Sequence, residues 1–166
     1  MIFFTRLSAG VLLVSACIAA TAFLQACSDR HESSYASLAD ASKAGEITRG
    51  WIPDYLPRKT RSIHIMYEPS SPRTWCAFEF SPADSQGLKE NLSIVSALPG
   101  RLKYIDDPGV SWWPVFLKGN LDIVRFRAEG FDAYVAQEVA PQPSNDMVLF
   151  AIDWATGADF FIAHLS

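Results

Sequence analysis

Histidine and cysteine are scarce in this chain, with three of each among 166 residues. The histidines are scattered at His31, His64 and His164, and no Cys/His pair has the close spacing that zinc sites use. No metal is therefore expected. There is no glycine-rich phosphate loop, nucleophile elbow or dinucleotide fingerprint, so no motif calls for a nucleotide or any other cofactor. Basic charge is also short, with 14 Lys and Arg against 18 Asp and Glu. An acidic surface repels phosphate backbones, which makes nucleic acid an unfavourable partner.

What the chain does have begins at its N-terminus. Arg6 is followed by an uncharged apolar run from Leu7 to Leu24, the profile of a secretory signal. Its length also reaches the lower limit for a membrane span, so an uncleaved anchor is the alternative. The tetrad Leu24-Gln25-Ala26-Cys27 resembles a bacterial lipobox, with an aliphatic residue three before the cysteine and a small one just before it. Gln25 stands where a small residue is usual. Val14-Ser15-Ala16-Cys17 also fits, but processing there would leave Ile18–Phe23 as an apolar mature N-terminus. The resemblance implies cleavage after Ala26 and lipidation of Cys27, with Cys17 and ordinary secretion as alternatives. Ser28 follows the cysteine in place of the aspartate of an inner-membrane retention signal, which implies outer-membrane delivery, facing the periplasm of a Gram-negative cell.

Cleavage removes Arg6 and no acid, so the 14 basic residues less Arg6 leave 13 against 18 acidic ones, a net charge of −5. The expected organisation is a signal peptide over 1–26, a lipidated cysteine and polar tether over 27–34, and one domain over 35–166. Such a tether reaches at most about 25 Å when extended. Once Cys27 is acylated the mature chain keeps only Cys76, so the domain must stand on packing without an internal disulfide.

Within the domain, Ser37 can cap a short helix through Leu38, Ala41 and Ala44, ended by Gly45. The two prolines of Gly50–Pro57 exclude a regular strand and leave a turn or a single helical turn that tucks Trp51, Ile52, Tyr55 and Leu56 inward. Ser62–Glu68 alternates with Ile63, Ile65 and Tyr67 on one face. Thr74–Phe80 places Cys76, Phe78 and Phe80 together, and the two stretches predict a hairpin. Ser81, Pro82 and Asp84 predict a helix start, with Leu88, Leu92 and Val95 as its apolar stripe and Pro99-Gly100 as its stop. One or two helical turns are expected from Pro114. The apolar runs Leu121–Phe126, Ala133–Val139 and Met147–Trp154 predict strands, and Gly157 a hairpin turn into a last strand over Asp159–Leu165. The fold class is α+β: an antiparallel sheet made of the hairpin and a C-terminal meander, with one or two helices packed on a face.

The run SYASLADASKAGEITRGWIPDYLPRKTRSIHIMYE, then WCAFEF, WWP and DWATGADFF, resembles small bacterial lipoproteins of the YbbD head domain type. Its most specific part is Arg49–Pro57 leading into the strand at Ser62. The resemblance implies a fold and a location and transfers no site residue.

Cys76 shares its strand face with two phenylalanines and reads as a buried apolar residue. Asp106 and Asp107 precede Pro-Gly and read as turn chemistry. Trp112 and Trp113 are neighbours, so their rings diverge by about 100° in a helix or to opposite faces in a strand. One of them, with Tyr104, is a candidate surface for stacking on a sugar, a peptidoglycan strand or a protein. The leading expectation is a lipid-anchored, non-catalytic binding or accessory module with an envelope protein as partner. The alternatives are an envelope hydrolase acting on glycan or peptide through acids such as Asp106 or Glu138, an immunity-type inhibitor of a toxin, and a purely structural lipoprotein.

Overall fold

Alternating apolar residues build the first hairpin where the sequence places it. Strand β2 (Arg61–Glu68) pairs antiparallel with β3 (Arg73–Glu79), Ile65 opposite Cys76 and Met66 opposite Trp75. This computed structural model describes residues 29–70, 73–98, 103–137 and 147–163. Upstream of the hairpin lies β1 (His31–Ser37), which pairs along the outer side of β2 with Ser33 opposite Ile65 and Tyr35 opposite Ile63. The expectation of a free tether through Ser34 is thereby corrected, because its last four residues are part of the sheet. HESSYAS lacks apolar alternation because an edge strand buries little and stays polar on its open side. Backbone pairing to β2, which a sequence window does not see, supplies the order.

The remaining strands are β4 (Ser93–Ile94), the two-stranded pair β5 (Tyr104–Ile105) and β6 (Gly119–Asn120), and the meander β7 (Asp132–Gln137), β8 (Met147–Asp153) and β9 (Ala158–Ala163). Hairpin and meander join when β9 pairs with β3, giving one antiparallel sheet of order β1-β2-β3-β9-β8-β7-β4. The class is α+β, as the element pattern predicts.

Both faces of the sheet are apolar. On one, Ile63, Ile65, Cys76, Phe78, Val148, Phe150 and Ile152 pack under Ala41, Ile52, Leu56 and Leu88. Ala41 comes from helix α1 (Leu38–Lys43) and Leu88 from α2 (Gln86–Asn91), so two helices share this face. The Ser37 hydroxyl caps α1 by accepting from the Asp40 amide at 3.2 Å, and Gly45 follows the helix at φ 89°. On the other face, Met66, Trp75, Ala133, Leu149 and Ala151 meet Trp113, Phe116, Leu117, Leu121 and Phe126. Each fully buried large side chain of this kind contributes roughly 1.5–3 kcal/mol.

Two elements differ from their sequence reading. Pro82–Asp84 is a 3₁₀ turn whose Asp84 amide donates to the Ser81 carbonyl at 2.8 Å, and α2 then runs for only six residues. Leu92 packs with the first core and Val95 with the second, so the chain crosses from one sheet face to the other over its edge. A continued helix would have kept both residues on one side. The free edge of β7 takes Ser93 and Ile94 as partners instead. The expected stop at Pro99-Gly100 lies outside the described residues.

The run Leu121–Phe126 is not a strand: Leu121 and the cap residue Asp122 lead into helix α3 (Ile123–Ala128). The Asp122 carboxylate caps it by accepting from the Val124 amide at 2.9 Å. Phe126 is fully buried while Val124 stays 71% exposed, the one-sided burial that a helix produces. The helical turn after Pro114 is present as a 3₁₀ turn over Val115–Leu117. Leu165 and Val139, at the ends of the predicted strands, lie outside the described residues.

Gly157 closes the β8–β9 turn at φ 76°, its amide donating to the Asp153 carbonyl at 2.8 Å. The Asp153 carboxylate accepts from the Thr156 hydroxyl at 2.6 Å and from the Ala155 amide at 2.9 Å, and these bonds, the hydroxyl's first, hold its pKa below the usual carboxylate value. The Gly157 carbonyl accepts from the Phe80 amide, and a Cβ at this glycine would stand 2.1 Å from the Phe80 carbonyl oxygen. At Gly130, φ 86°, a Cβ would meet nothing within 4 Å. Gly130→Ala should therefore cost only the left-handed penalty of about 1–2 kcal/mol, and Gly157→Ala about 4 kcal/mol or more. Equal losses in denaturant unfolding would remove the close approach as the explanation.

Candidate functional site

The aromatic pair of the WWP segment splits, one ring inward and one outward. Trp113 is 2% exposed, and its indole N–H donates to the Leu117 carbonyl at 3.3 Å within the turn that follows Pro114. It is a core residue and presents no stacking surface. Trp112 is half-buried, edge-on to Trp113 at 5.9 Å, and its Nε1 donates to the Glu32 carboxylate of β1 at 2.7 Å. Its ring stacks on His64 of β2 at 5.7 Å. Tyr104 stands 56% exposed on β5. Trp112 thus fastens the second-face layer to the edge of the sheet.

Glu32 and Ser34 face the same side of the sheet, opposite Met66 and His64. The Ser34 hydroxyl and His64 Nδ1 are 2.9 Å apart. In a serine triad one imidazole nitrogen meets the hydroxyl and the other the carboxylate. Glu32 instead accepts from the Trp112 indole, so the grouping works as a polar seam between β1, β2 and the loop above them.

On the opposite face a second cluster forms around Glu46, which the turn after α1 carries inward: its amide donates to the Ala41 carbonyl at 3.1 Å and its carbonyl accepts from Trp51 at 3.0 Å. Glu46 is 2% exposed. The Tyr35 hydroxyl donates to its Oε1, and Arg49 Nη1 lies 3.7 Å from its Oε2. Oε2 itself has no hydrogen-bond partner among the described residues. The hydrogen bond to Glu46 comes first, and burial second, in raising the Tyr35 pKa above the ordinary phenol value of 10.0. Arg49 lies over the Trp51 ring at 5.0 Å, Trp51 stacks on Tyr67 at 3.7 Å, and Tyr67 on His31 at 5.0 Å. The result is a column of one guanidinium and three rings running from the α1 turn to the first residue of β1. The Arg-Gly-Trp run was legible as a distinctive segment. Burial of Glu46 was not, since a lone glutamate after a helix reads as solvent-exposed.

The candidate acids serve the fold. Asp106 pairs with Arg73. The Asp107 carboxylate accepts from the Gly109 amide at 2.8 Å and pairs with Lys118 at 3.0 Å, and these two bonds, the backbone one first, hold its pKa below the usual value. Asp107 therefore does the turn work expected of residues before Pro-Gly, whereas Asp106 ties this segment to β3 through Arg73. Cys76 is fully buried in the first-face core. No group of three or more His, Cys, Asp or Glu is placed to hold a metal ion among the described residues. Cys17, Ala26, Cys27, Glu138 and His164 lie outside the described residues.

Trp113→Ala should cost about 3–5 kcal/mol in denaturant unfolding, and Trp112→Ala about 1 kcal/mol, the worth of one exposed hydrogen bond and a stack. The reverse order would show that the inward ring has been misassigned. Tyr35 offers a second check. Its folded pKa is raised, so its stabilising contribution is complete below pH 10 and is lost as pH rises through the folded value. The difference in tyrosinate absorbance between the wild type and Tyr35→Phe should show a phenol that ionises above pH 10.0.

Comparison with curated proteins and with solved structures returns no match. Residues 29–79, which run from the N-terminal fastening through the Glu46 cluster to the end of β3, match the family described as the YbbD head domain, bearing out over that segment the likeness carried by its Arg-Gly-Trp run.

Proposed function

We propose that this protein is a lipid-anchored, non-catalytic binding or accessory module of the bacterial envelope, held by an acylated Cys27 on the outer membrane and facing the periplasm. The observation that carries the reading is the spacing at the N-terminus: the lipobox-like cysteine stands two residues ahead of Asp29, whose carboxylate already accepts from the Ser70 amide at 2.7 Å. A lipid on that sulfur would act on the folded domain directly, and each buried methylene adds about 0.8 kcal/mol of membrane affinity.

The YbbD head domain match supports an envelope role, because the same segment carries the likeness to small lipoproteins. The polar groups that could have suggested chemistry are occupied in holding the fold: Asp106 by Arg73, Asp107 by Lys118, and Glu32 by Trp112. A module of this kind works by presenting a surface to an envelope protein.

Intact-mass measurement of protein isolated from membranes should find a chain that begins at Cys27 and carries acyl groups. Cys27→Ser should shift the protein out of the membrane fraction or leave it with its signal attached. An unmodified thiol at Cys27 in the mature protein would overturn the reading. Crosslinking in intact cells should recover a reproducible envelope partner, and none is expected to be nucleic acid.

A further inference from the structure

We infer that one corner of the domain, built from Asp29, Arg30, Ser70 and the Pro108-Gly109 turn, rests against the lipid headgroups, while the opposite end of the sheet is presented away from the membrane. This rests on the proposed acylation of Cys27. Two residue steps separate Cys27 from Asp29, a reach of at most about 7 Å. From Asp29 onward the chain is bolted down. The Asp29 carboxylate accepts from the Ser70 amide at 2.7 Å. Arg30 pairs with Glu68, whose side chain is only 14% exposed, and donates to the Pro108 carbonyl at 3.2 Å. His31 then starts β1 and stacks on Tyr67.

Three segments are joined at this corner, so from Asp29 onward the chain cannot turn against the sheet. Orientation follows from strand direction. The β2 residues adjoining the corner are Tyr67 and Glu68, and the seven steps of strand from Glu68 back to Arg61 place Arg61 about 23 Å away. Near Arg61 lie Glu79, paired with it at 3.0 Å, and the Pro82–Asp84 turn, whose Asp84 accepts from the Lys59 amide. That far end clears the headgroup layer. The corner's charges are largely matched among themselves, Arg30 with Glu68, Arg73 with Asp106 and Lys118 with Asp107. Position is therefore set by the short anchor and the clamp, with little attraction to anionic lipid as such.

The test uses full-length acylated protein reconstituted in phosphatidylcholine vesicles with brominated acyl chains. A fluorophore is placed on Ser70→Cys or on Arg58→Cys; Cys76 is fully buried and does not compete for the label. Quenching at position 70 should exceed that at position 58 several-fold. Combining Asp29→Ala with Arg30→Ala should cut this difference by at least half while the acylated mass is unchanged. Equal quenching at the two positions in acylated protein would overturn the orientation and leave the lipid anchor standing, and an undiminished difference in the double variant would overturn the clamp as its cause. A bare Cys27 by mass would overturn both the orientation and the reading beneath it.

Discussion

The pairing of β9 with β3 is the interaction on which the rest depends. It joins a hairpin near the N-terminus to a meander at the C-terminal end and turns two small sheets into one of seven strands. A sheet in the middle of a domain with apolar residues on both sides must be covered twice. Helices α1 and α2 with the Trp51–Leu56 turn cover one side, and Val95, Leu98 and the apolar residues from Ile105 to Phe131 cover the other. The β8–β9 turn sits against the end of β3, where Gly157 has no room for a side chain. Closure of the sheet and the identity of that glycine are one constraint.

The edge strand β1 gains its place from that closure. It is too polar to be held by burial, and two layers of contacts hold it from opposite faces. Trp112 reaches Glu32 and stacks on His64 from one side. From the other, Tyr35 bonds to the buried Glu46, and His31 ends the column that starts at Arg49. A buried carboxyl costs several kcal/mol unless it is paired, so Glu46 fixes the α1 turn, Tyr35 and Arg49 relative to one another. The segment that matches the YbbD head domain is the stretch these contacts organise.

This arrangement fastens the chain from Asp29 onward. The polar residues after Cys27 would, as a free tether, let a globule sample many orientations. Residues 31–34 lie in the sheet instead, and Asp29 and Arg30 are fixed to the β2–β3 end and to the Pro108 turn. The surfaces of the domain therefore keep a set direction relative to Asp29.

The hairpin, the Ser37 cap, the Pro114 turn, the last two strands and the burial of Cys76 were all legible, because each depends on local alternation, capping or turn chemistry. Tertiary structure decided the elements whose fate depended on a distant partner. HESSYAS became a strand because β2 had an open edge; Leu92 and Val95 parted because β7 had one too. The run Leu121–Phe126 led into a helix because Phe126 had a core to enter and Asp122 a cap to supply, and a run of four apolar residues in six is equally consistent with a strand. Which tryptophan of the pair would be exposed, and that Glu46 would be buried, likewise followed from packing. The linear chain determines local backbone preference and the total apolar surface to be hidden, and only the closed sheet determines which side of it each residue meets.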